Sequence, residues 1–246
     1  MKKMISRIVD LSYKSREGHI PSSLSILNIL DVLYGKILNK EDHFILSKGH
    51  ASLGLYVILE KYGLLEEDLD TFCQFNSKLG GHPSNKLNNI TASTGSLGHG
   101  LPISIGLAIG EKIKNTNNRV FTIIGDGESN EGTIWESAIL AAEHKLKNLC
   151  CIIDHNKSNN RAINTDDVLA KFTSFNWHCI EIDGHNETQI EKALRIKSDR
   201  PIFIMANTIK GKGIKRMENN HEWHHKSPND EEYKSIINEL NEEGTY

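Results

Sequence analysis

The sequence lacks the features that mark secreted, membrane-spanning or nucleic-acid-binding proteins. Its 246 residues include only 4 cysteines, whose spacing gives neither a disulfide framework nor the paired ligands of a zinc site. No apolar run is long enough for a signal peptide or a membrane span. The formal net charge of −3 argues against electrostatically driven binding to nucleic acid. We therefore expect a cytoplasmic protein that binds neither nucleic acid nor membranes.

Short apolar runs alternate along the chain with segments of helical spacing. Apolar residues make up 38% of the sequence and no repeat or linker interrupts it, so we expect one domain over residues 1–246. Strands are predicted at His43–Leu46, Val120–Ile124, Leu149–Asp154, Cys179–Ile182 and Pro201–Ala206. Helices are predicted near Met4–Arg16, Leu24–Leu38, Ala51–Tyr62, Leu101–Lys114, Asn130–His144 and Glu187–Ile196. This alternation predicts an α/β fold, a parallel sheet with helices on both faces.

Two polar motifs follow neighbouring strands of this predicted sheet. The stretch "IIGDGESNEG" places Asp126 between two glycines where one strand ends, and thirty positions later the run "LCCIIDHNK" ends the next strand close to Asn156. A strand–helix–strand unit returns its second strand parallel to the first. Asp126 and Asn156 are therefore expected to converge at the carboxyl edge of the sheet, where open α/β sheets bind ligands.

The residue types at this edge suit a diphosphate bridged by a metal ion. An aspartate carboxylate and an asparagine carbonyl are hard oxygen donors for Mg²⁺ or Ca²⁺. Gly127 lets the backbone approach a ligand, and a helix beginning near Ser129 or Asn130 offers free N–H groups to phosphate. Either motif alone is more often a plain turn, but their positions after two strands of one unit favour a binding site. The sequence has neither a P-loop nor a dinucleotide-binding glycine motif.

A Gly-Asp-Gly followed about thirty residues later by Asn resembles the thiamine diphosphate motif. Further segments, in order, are similar to those of transketolases: "FILSKGHASLGLYVILEKYG", "GGHP", "STGSLGHGLPISIGLAIGEK", "IKGKGI" and "MENNHEWHHKSPNDEEY". The chain resembles the amino-terminal, diphosphate-binding domain of transketolase over nearly its whole length. The diphosphate motif is shared by many thiamine enzymes, whereas the other segments are much more specific.

This resemblance implies a cofactor site. Asp126, Asn156 and the backbone carbonyl of Ser158 would bind Mg²⁺ or Ca²⁺, and the N–H of Gly127 would bind the diphosphate of thiamine diphosphate. Asn156 thereby contacts both metal and cofactor. The residues that would line the cofactor are Gly95, Ser96 and Leu97. The family usually has proline in place of Ser96 and glutamine in place of His99.

The resemblance also selects four of the 12 histidines, namely His19, His50, His82 and His224. His19, His82 and His224 would contact the hydroxyls of the sugar donor, and His50 and His224 the diphosphate. Neutral imidazoles can donate or accept hydrogen bonds as those hydroxyls change charge. The motif "EWHHK" fits either His224 or His225, and we prefer His224. Five other histidines match nothing in the family and are given structural roles: His43, His144, His155, His178 and His185.

The implied activity is the transfer of a two-carbon ketol unit from a ketose, or its phosphate, to an aldose through thiamine diphosphate. In transketolases the glutamate that activates the cofactor lies on a pyrimidine-binding domain, which nothing in this sequence matches. We therefore expect the amino-terminal subunit of a split enzyme, forming a two-fold heterotetramer with a second chain that carries this domain. Glu131 and Glu136 match acidic residues near the family's dimer contact, or they are simply solvent-facing charges.

Two alternatives remain open at this stage. One is a subunit of another thiamine diphosphate enzyme, such as a 2-oxo acid dehydrogenase component or a deoxyxylulose phosphate synthase. The other is a non-catalytic paralogue with a binding or regulatory role. Cofactor-dependent turnover with a partner chain would distinguish an enzyme from a regulatory protein.

Overall fold

The computed structural model describes residues 1–158 and 167–242, and within them five parallel strands form one sheet. The strands are β1 (His43–Leu46), β2 (Val120–Gly125), β3 (Leu149–His155), β4 (His178–Asp183) and β5 (Ile202–Asn207). Their order across the sheet is β1-β2-β3-β5-β4, and every neighbouring pair is parallel. The predicted α/β class and all five predicted strands are confirmed.

The helices lie on both faces of the sheet. They are α1 (Lys2–Ser15), α2 (Ile20–Ser25), α3 (Leu27–Val32), α4 (Ser52–Lys61), α5 (Gly100–Ile113), α6 (Gly132–Glu143), α7 (Val168–Ser174), α8 (Glu187–Leu194) and α9 (Asp230–Glu242). Alternate residues of β2 enter different cores: Phe121 and Ile123 pack with α1 to α4, α8 and α9, whereas Val120 and Ile124 pack with α5 to α7. This alternation is the two-residue period of a strand that is buried on both faces.

Two predicted helices begin or continue differently from the expectation. The helix expected over Leu24–Leu38 is divided at Ile26, whose φ of −106° and ψ of 2° are not helical, and it ends in a wider turn over Leu33–Ile37. The helix expected from Asn130 begins at Gly132 instead. A 3₁₀ turn over Asp126–Asn130 precedes it, and within that turn the carboxylate of Glu128 accepts the N–H of Gly125.

A long segment without helix or strand, 75–99, connects the first part of the chain to α5. Leu79, Leu87 and Ile90 are buried and fix its course. Near its end, the hydroxyl of Thr94 donates to the carbonyl of Leu46, the last residue of β1, at 2.7 Å. The segment therefore passes along the carboxyl edge of the sheet.

All four cysteines are free, and Cys150 and Cys151 are buried within β3. This agrees with the prediction that the chain has no disulfide framework. No helix in the part of the chain that the structure describes combines the length and apolar character needed to span a membrane.

Candidate functional site

Three oxygen-bearing side chains meet where β2 and β3 end. Gly125 lies opposite Asp154 in the sheet, and Asp126 and Asn156 follow directly. Ser158 joins these two: its hydroxyl donates to Oδ1 of Asp126 at 2.9 Å, and its N–H donates to Oδ1 of Asn156 at 3.1 Å. The structure thus brings together all three residues that the sequence suggested as metal ligands.

A hydrogen bond at the other end of the amide fixes the orientation of Asn156. Its Nδ2 donates to Oδ2 of Asp154 at 2.9 Å, which turns Oδ1 away from Asp154 and toward Ser158. The buried carboxylate of Asp126 lies on the same side. Carboxylate and amide oxygens are the ligands that Mg²⁺ and Ca²⁺ prefer, so these residues fit such an ion.

A buried ion pair lies beneath this edge. The ammonium of Lys48 contacts the carboxylate of Asp154, and both side chains are almost completely enclosed. The hydroxyls of Ser25, at 2.7 Å, and Thr208 donate to the same carboxylate. Burial alone raises the pKa of Asp154, but Lys48 and the hydrogen bonds from Thr208 and Ser25 outweigh it and lower this pKa. Asp154 is therefore an anion that holds Asn156 in place.

Glu128 ties three segments together around the site. Its buried carboxylate accepts the N–H of Gly125 at 2.7 Å, the N–H of Gly98 at 2.8 Å and the hydroxyl of Ser47 at 2.5 Å. These donors belong to the end of β2, to the connecting segment and to the residue after β1. Burial raises the pKa of Glu128, although all three hydrogen bonds oppose that shift.

The residues suggested as a cofactor lining lie on the connecting segment beside this carboxylate. Gly95 has a φ of 146°, and a side chain there would come within 3.1 Å of the His82 ring. Ser96 and Leu97 present their side chains to solvent. His99 follows Leu97 by two residues, and its Nδ1 lies 3.0 Å from the carbonyl oxygen of Leu97. It therefore contacts the backbone of the connecting segment.

The four histidines selected from the sequence lie around one cleft. The ring centroid of His19 is 5.3 Å from that of His50 and 5.5 Å from that of His224, and His50 lies 6.4 Å from His224. His82 packs against the backbone just before His50, since a side chain on Gly49 would come within 3.1 Å of its ring.

Burial and neighbouring cationic side chains keep the imidazoles of His19 and His50 neutral. Burial, followed by His225 and His224, lowers the pKa of His19 to about 4. Burial and then the Lys48 ammonium lower the pKa of His50 to about 2. At pH 7 both rings are therefore uncharged and can either donate or accept a hydrogen bond.

The side chains of the adjacent residues His224 and His225 contact different partners. Nδ1 of His224 lies 2.9 Å from the ammonium nitrogen of Lys210, which can only donate, so the imidazole proton is on Nε2. Burial and Lys48 lower the pKa of Lys210 to about 8. His225 instead directs Nε2 to Oε1 of Glu17 at 3.1 Å. His224 therefore belongs to the cleft, and His225 lies at its rim.

Two of the remaining histidines have evident structural partners. His43 lies 3.4 Å from the carboxylate of Glu111. His185 accepts the N–H of Ile209 at 2.8 Å and lies 3.3 Å from the amide oxygen of Asn28. These contacts agree with the structural roles given to them.

The sequence reasoning missed four charged residues of the site: Lys48, Asp154, Glu128 and Lys210. All four are buried, which is rare for such side chains unless they are paired or functional. All four lie inside the segments quoted in the sequence analysis, but nothing in those segments distinguishes them from solvated charges. Their partners come from distant parts of the chain and become visible only in the fold.

Comparison with known proteins identifies similarities over almost the whole chain. The family described as "Transketolase, thiamine diphosphate binding domain" matches residues 3–243. One of the subunits of the apulose-4-phosphate transketolase of Phocaeicola vulgatus is 34% identical, over 98% of this chain and 92% of that protein. The 6-deoxy-6-sulfo-D-fructose transketolase subunit SqwG of a Clostridium species is 36% identical, over 92% of this chain and 90% of that protein. The transketolase structure from Campylobacter jejuni superposes with a TM-score of 0.87 at 30% identity, covering 98% of this chain but 42% of that one.

Proposed function

This chain belongs to the transketolase family of thiamine diphosphate-binding domains, and on that premise we propose that it is the amino-terminal, diphosphate-binding subunit of a two-chain transketolase. The reaction moves a two-carbon ketol unit from a ketose, as its phosphate, to an aldose. The observation that carries this proposal is the cluster of Asp126, Asn156 and Ser158 beside buried Lys210 and three histidines. Such a cleft suits an anionic group bridged by a metal ion, next to a substrate rich in hydroxyls.

In the proposed site a Mg²⁺ or Ca²⁺ ion is held by Asp126, by the amide oxygen of Asn156 and by the main-chain carbonyl of Ser158. The fit rests on the chemistry of the donors, all of them hard oxygens. It also rests on the bond from Asn156 to Asp154, which supports the orientation of a ligand in the way that outer partners do in metal sites.

Thiamine diphosphate is proposed to bind with its diphosphate near Gly127, Lys210, His50 and Asn156. The N–H of Gly127 now donates to Oδ1 of Asp126 at 2.7 Å, so it already points into the cluster. Lys210 supplies a buried positive charge, and a bound anion would raise its pKa back from about 8. When bound, the cofactor supplies the carbon nucleophile and the electron sink. Its rings are proposed to lie along Gly95, Ser96 and Leu97.

His19, His82 and His224 are proposed to hold the hydroxyls of the sugar donor. Neutral imidazoles suit this role, because they can stabilise a hydroxyl or accept its proton without placing another charge beside Lys210. His224 would act with its Nε2–H, since its Nδ1 faces Lys210. The neighbouring lysine also holds this imidazole in a defined orientation.

A second chain that carries the pyrimidine-binding domain and the activating glutamate is proposed to complete the site. Helix α5 presents Ile103, Gly106, Gly110 and Ile113 at spacings that fall on one helical face. Within residues 1–158 and 167–242, nothing lies within 4 Å of a side chain placed on either glycine, and Ile113 is 79% exposed. This exposed apolar face adjoins the segment Gly95–Gly98, which we call the cofactor loop, and it is the surface we propose for the second chain, in a two-fold heterotetramer. Glu131 and Glu136, at the start of α6, are proposed to lie near the contact between the two halves.

The proposed subunit is a single domain over residues 1–246 that acts in the cytoplasm, where its four free cysteines stay reduced. Two relatives that are themselves single subunits of transketolases are named for apulose 4-phosphate and for 6-deoxy-6-sulfo-D-fructose. These names suggest a specialised sugar phosphate or sulfonate as the donor.

The deciding experiment mixes this chain with the purified second chain, thiamine diphosphate and Mg²⁺, and measures ketol transfer. We expect turnover from the mixture and none from either chain alone. Asp126→Ala in the mixture is the matched control, because it should assemble and remain inactive. Full activity of this chain alone would contradict the two-chain proposal, and an assembled but inactive mixture over a panel of ketose donors would favour a regulatory role.

A further inference from the structure

Three potential metal ligands lie together at the rim of the cleft: Glu17, His19 and His225. Oε1 of Glu17 is 3.1 Å from Nε2 of His225 and 3.8 Å from Nδ1 of His19, and all three ligand atoms lie within 4.8 Å of one another. Ligand atoms around a tetrahedral Zn²⁺ ion are separated by about 3.3 Å, as follows from metal–ligand distances of about 2.0–2.1 Å. The observed cluster is therefore close to the spacing that such an ion requires.

The backbone holds these ligands in place before any ion binds. Gly18 packs so closely on the loop of His225 that a side chain at this position would come within 2.5 Å of the main-chain carbon of His225. His19 adopts a left-handed conformation with φ of 65°, a strained backbone that clusters at ligand-binding positions. Two loops that are more than 200 residues apart in the sequence are thus locked together around the ligand atoms.

We infer that Glu17, His19 and His225 form a binding site for a Zn²⁺-class transition-metal ion, separate from the Mg²⁺ site at Asp126. Two imidazoles and one carboxylate are the donor set of many catalytic zinc sites, with a fourth position left for water. Mg²⁺ prefers oxygen ligands and retains its own water, so it does not compete here. The two sites therefore differ in their metal as well as in their position.

A metal ion at this site would occupy Nδ1 of His19 and fix the ring proton on Nε2, so the imidazole could no longer accept a hydrogen bond or a proton. If His19 holds a donor hydroxyl, as in the proposed function, then a bound transition metal inhibits ketol transfer by competing with the sugar donor. This consequence depends on the proposed function, whereas metal binding itself does not. The two are therefore measured separately.

Binding is tested by titrating the full chain with Zn²⁺ against a chromophoric chelator, in excess Mg²⁺ and in a Cys73→Ser background that removes the exposed thiol. We expect one Zn²⁺ ion per chain, and a loss of at least about tenfold in affinity in both Glu17→Gln and His225→Asn. His221→Asn removes another exposed histidine from the same segment and serves as the matched control, with unchanged affinity. Substitution by Co²⁺ should give the intense visible absorption of a tetrahedral ion, which both cluster variants lose.

An affinity that is unchanged in both cluster variants, or that falls as much in His221→Asn, would overturn the inference. Glu17 and His225 lie in loops and are partly or largely exposed, so melting temperatures near that of the parent protein are expected. In the two-chain assay, Zn²⁺ should raise the KM for the donor in the parent and not in His225→Asn. Binding without this inhibition would leave the metal site standing and contradict the role of His19 in the proposed function.

Discussion

The buried pair of Lys48 and Asp154 gives the sharpest test of how this site is built. Asp154→Asn keeps the shape of the side chain but removes its charge. Lys48 is then an ammonium ion that is 1% exposed, without a carboxylate to balance it. The loss of one partner from a buried ion pair costs about 3–5 kcal/mol, because the remaining charge stays desolvated. We expect a loss of that size in the free energy of unfolding.

The reverse substitution should cost less. In Lys48→Met the carboxylate of Asp154 keeps its donors Ser25, Thr208 and Asn156, so its charge remains partly satisfied. The double variant Lys48→Met/Asp154→Asn should lose less stability than the sum of the losses in the two single variants. With both side chains replaced, no charged group is left buried without its partner. We therefore expect the parent protein to be the most stable, Lys48→Met to be less stable and Asp154→Asn to be the least stable of the three.

The pH dependence provides an independent check on the same pair. The pKa of Asp154 is lower in the folded chain than in the unfolded chain, so its contribution to stability is present above the ordinary aspartate pKa of about 4 and is lost as the pH falls through the folded-state pKa. The difference in stability between the parent and Asp154→Asn should therefore be largest near pH 7 and should narrow below about pH 4.

These differences are measured by urea unfolding of the full chain at about pH 7 and at about pH 3, with circular dichroism as the signal. A loss below about 1 kcal/mol in Asp154→Asn at pH 7 would refute the reasoning, since it would mean that Lys48 reaches water or another anion. A difference that stays constant from about pH 7 to about pH 3 would likewise show that Asp154 carries no lowered pKa.

Two further predictions concern the ligands of the site. Asp126→Ala should abolish Mg²⁺-dependent binding of thiamine diphosphate with a loss of several kcal/mol in binding free energy, because it removes a charged metal ligand. Calorimetric titration checks this, and unchanged cofactor affinity would remove Asp126 from the site. Alanine at His19 or His224 should lower turnover of the two-chain enzyme by about 10²–10⁴-fold with little change in melting temperature. A large loss of stability with normal specific activity would assign these histidines to the fold instead.

The sheet could be predicted from the sequence because each strand carries its own signal. Val120 to Ile124 and Leu149 to Ile153 are almost entirely apolar, as is typical of strands buried on both faces, and the alternation with helical segments left few other topologies. The division of the predicted helix at Ile26 could not be predicted, since Leu24–Leu38 has continuous helical spacing. On either side of Ile26, α2 packs against α4, and α3 packs against α4 and α8. Such contacts between distant residues are not encoded by local spacing.

Site residues could be predicted where a suitable residue type follows directly after a strand of the parallel sheet. Asp126 and Asn156 follow adjacent parallel strands, and that placement alone brings them to one edge. Lys48 and Lys210 were not predictable in this way, because a lone lysine in a sequence is usually a solvated charge. Only the structure shows that they share one buried region with Asp154.

Glu128 gives a final prediction, because its carboxylate anchors the cofactor loop and both strand ends with three hydrogen bonds. In Glu128→Gln the amide nitrogen must replace one of the two oxygens. If it replaces Oε2, the N–H of Gly125 faces a donor; if it replaces Oε1, Ser47 can turn to accept but the N–H of Gly98 cannot. Either orientation leaves one backbone N–H without an acceptor, which costs about 1–3 kcal/mol.

We therefore expect Glu128→Gln to lose about 2 kcal/mol of stability in urea, and to bind thiamine diphosphate more weakly, because the loop of Gly95 to Gly98 loses an anchor. Glu143→Gln, an exposed glutamate at the end of α6, is the matched control and should change neither property. Ser47→Ala removes the hydroxyl that donates to Glu128 and accepts the N–H of Gly100, and it should have an intermediate effect. If Glu128→Gln unfolds at the same urea concentration as the parent protein and binds the cofactor equally well, then this carboxylate does not organise the site. The order of the loop must then come from the packing of His82 against Gly95.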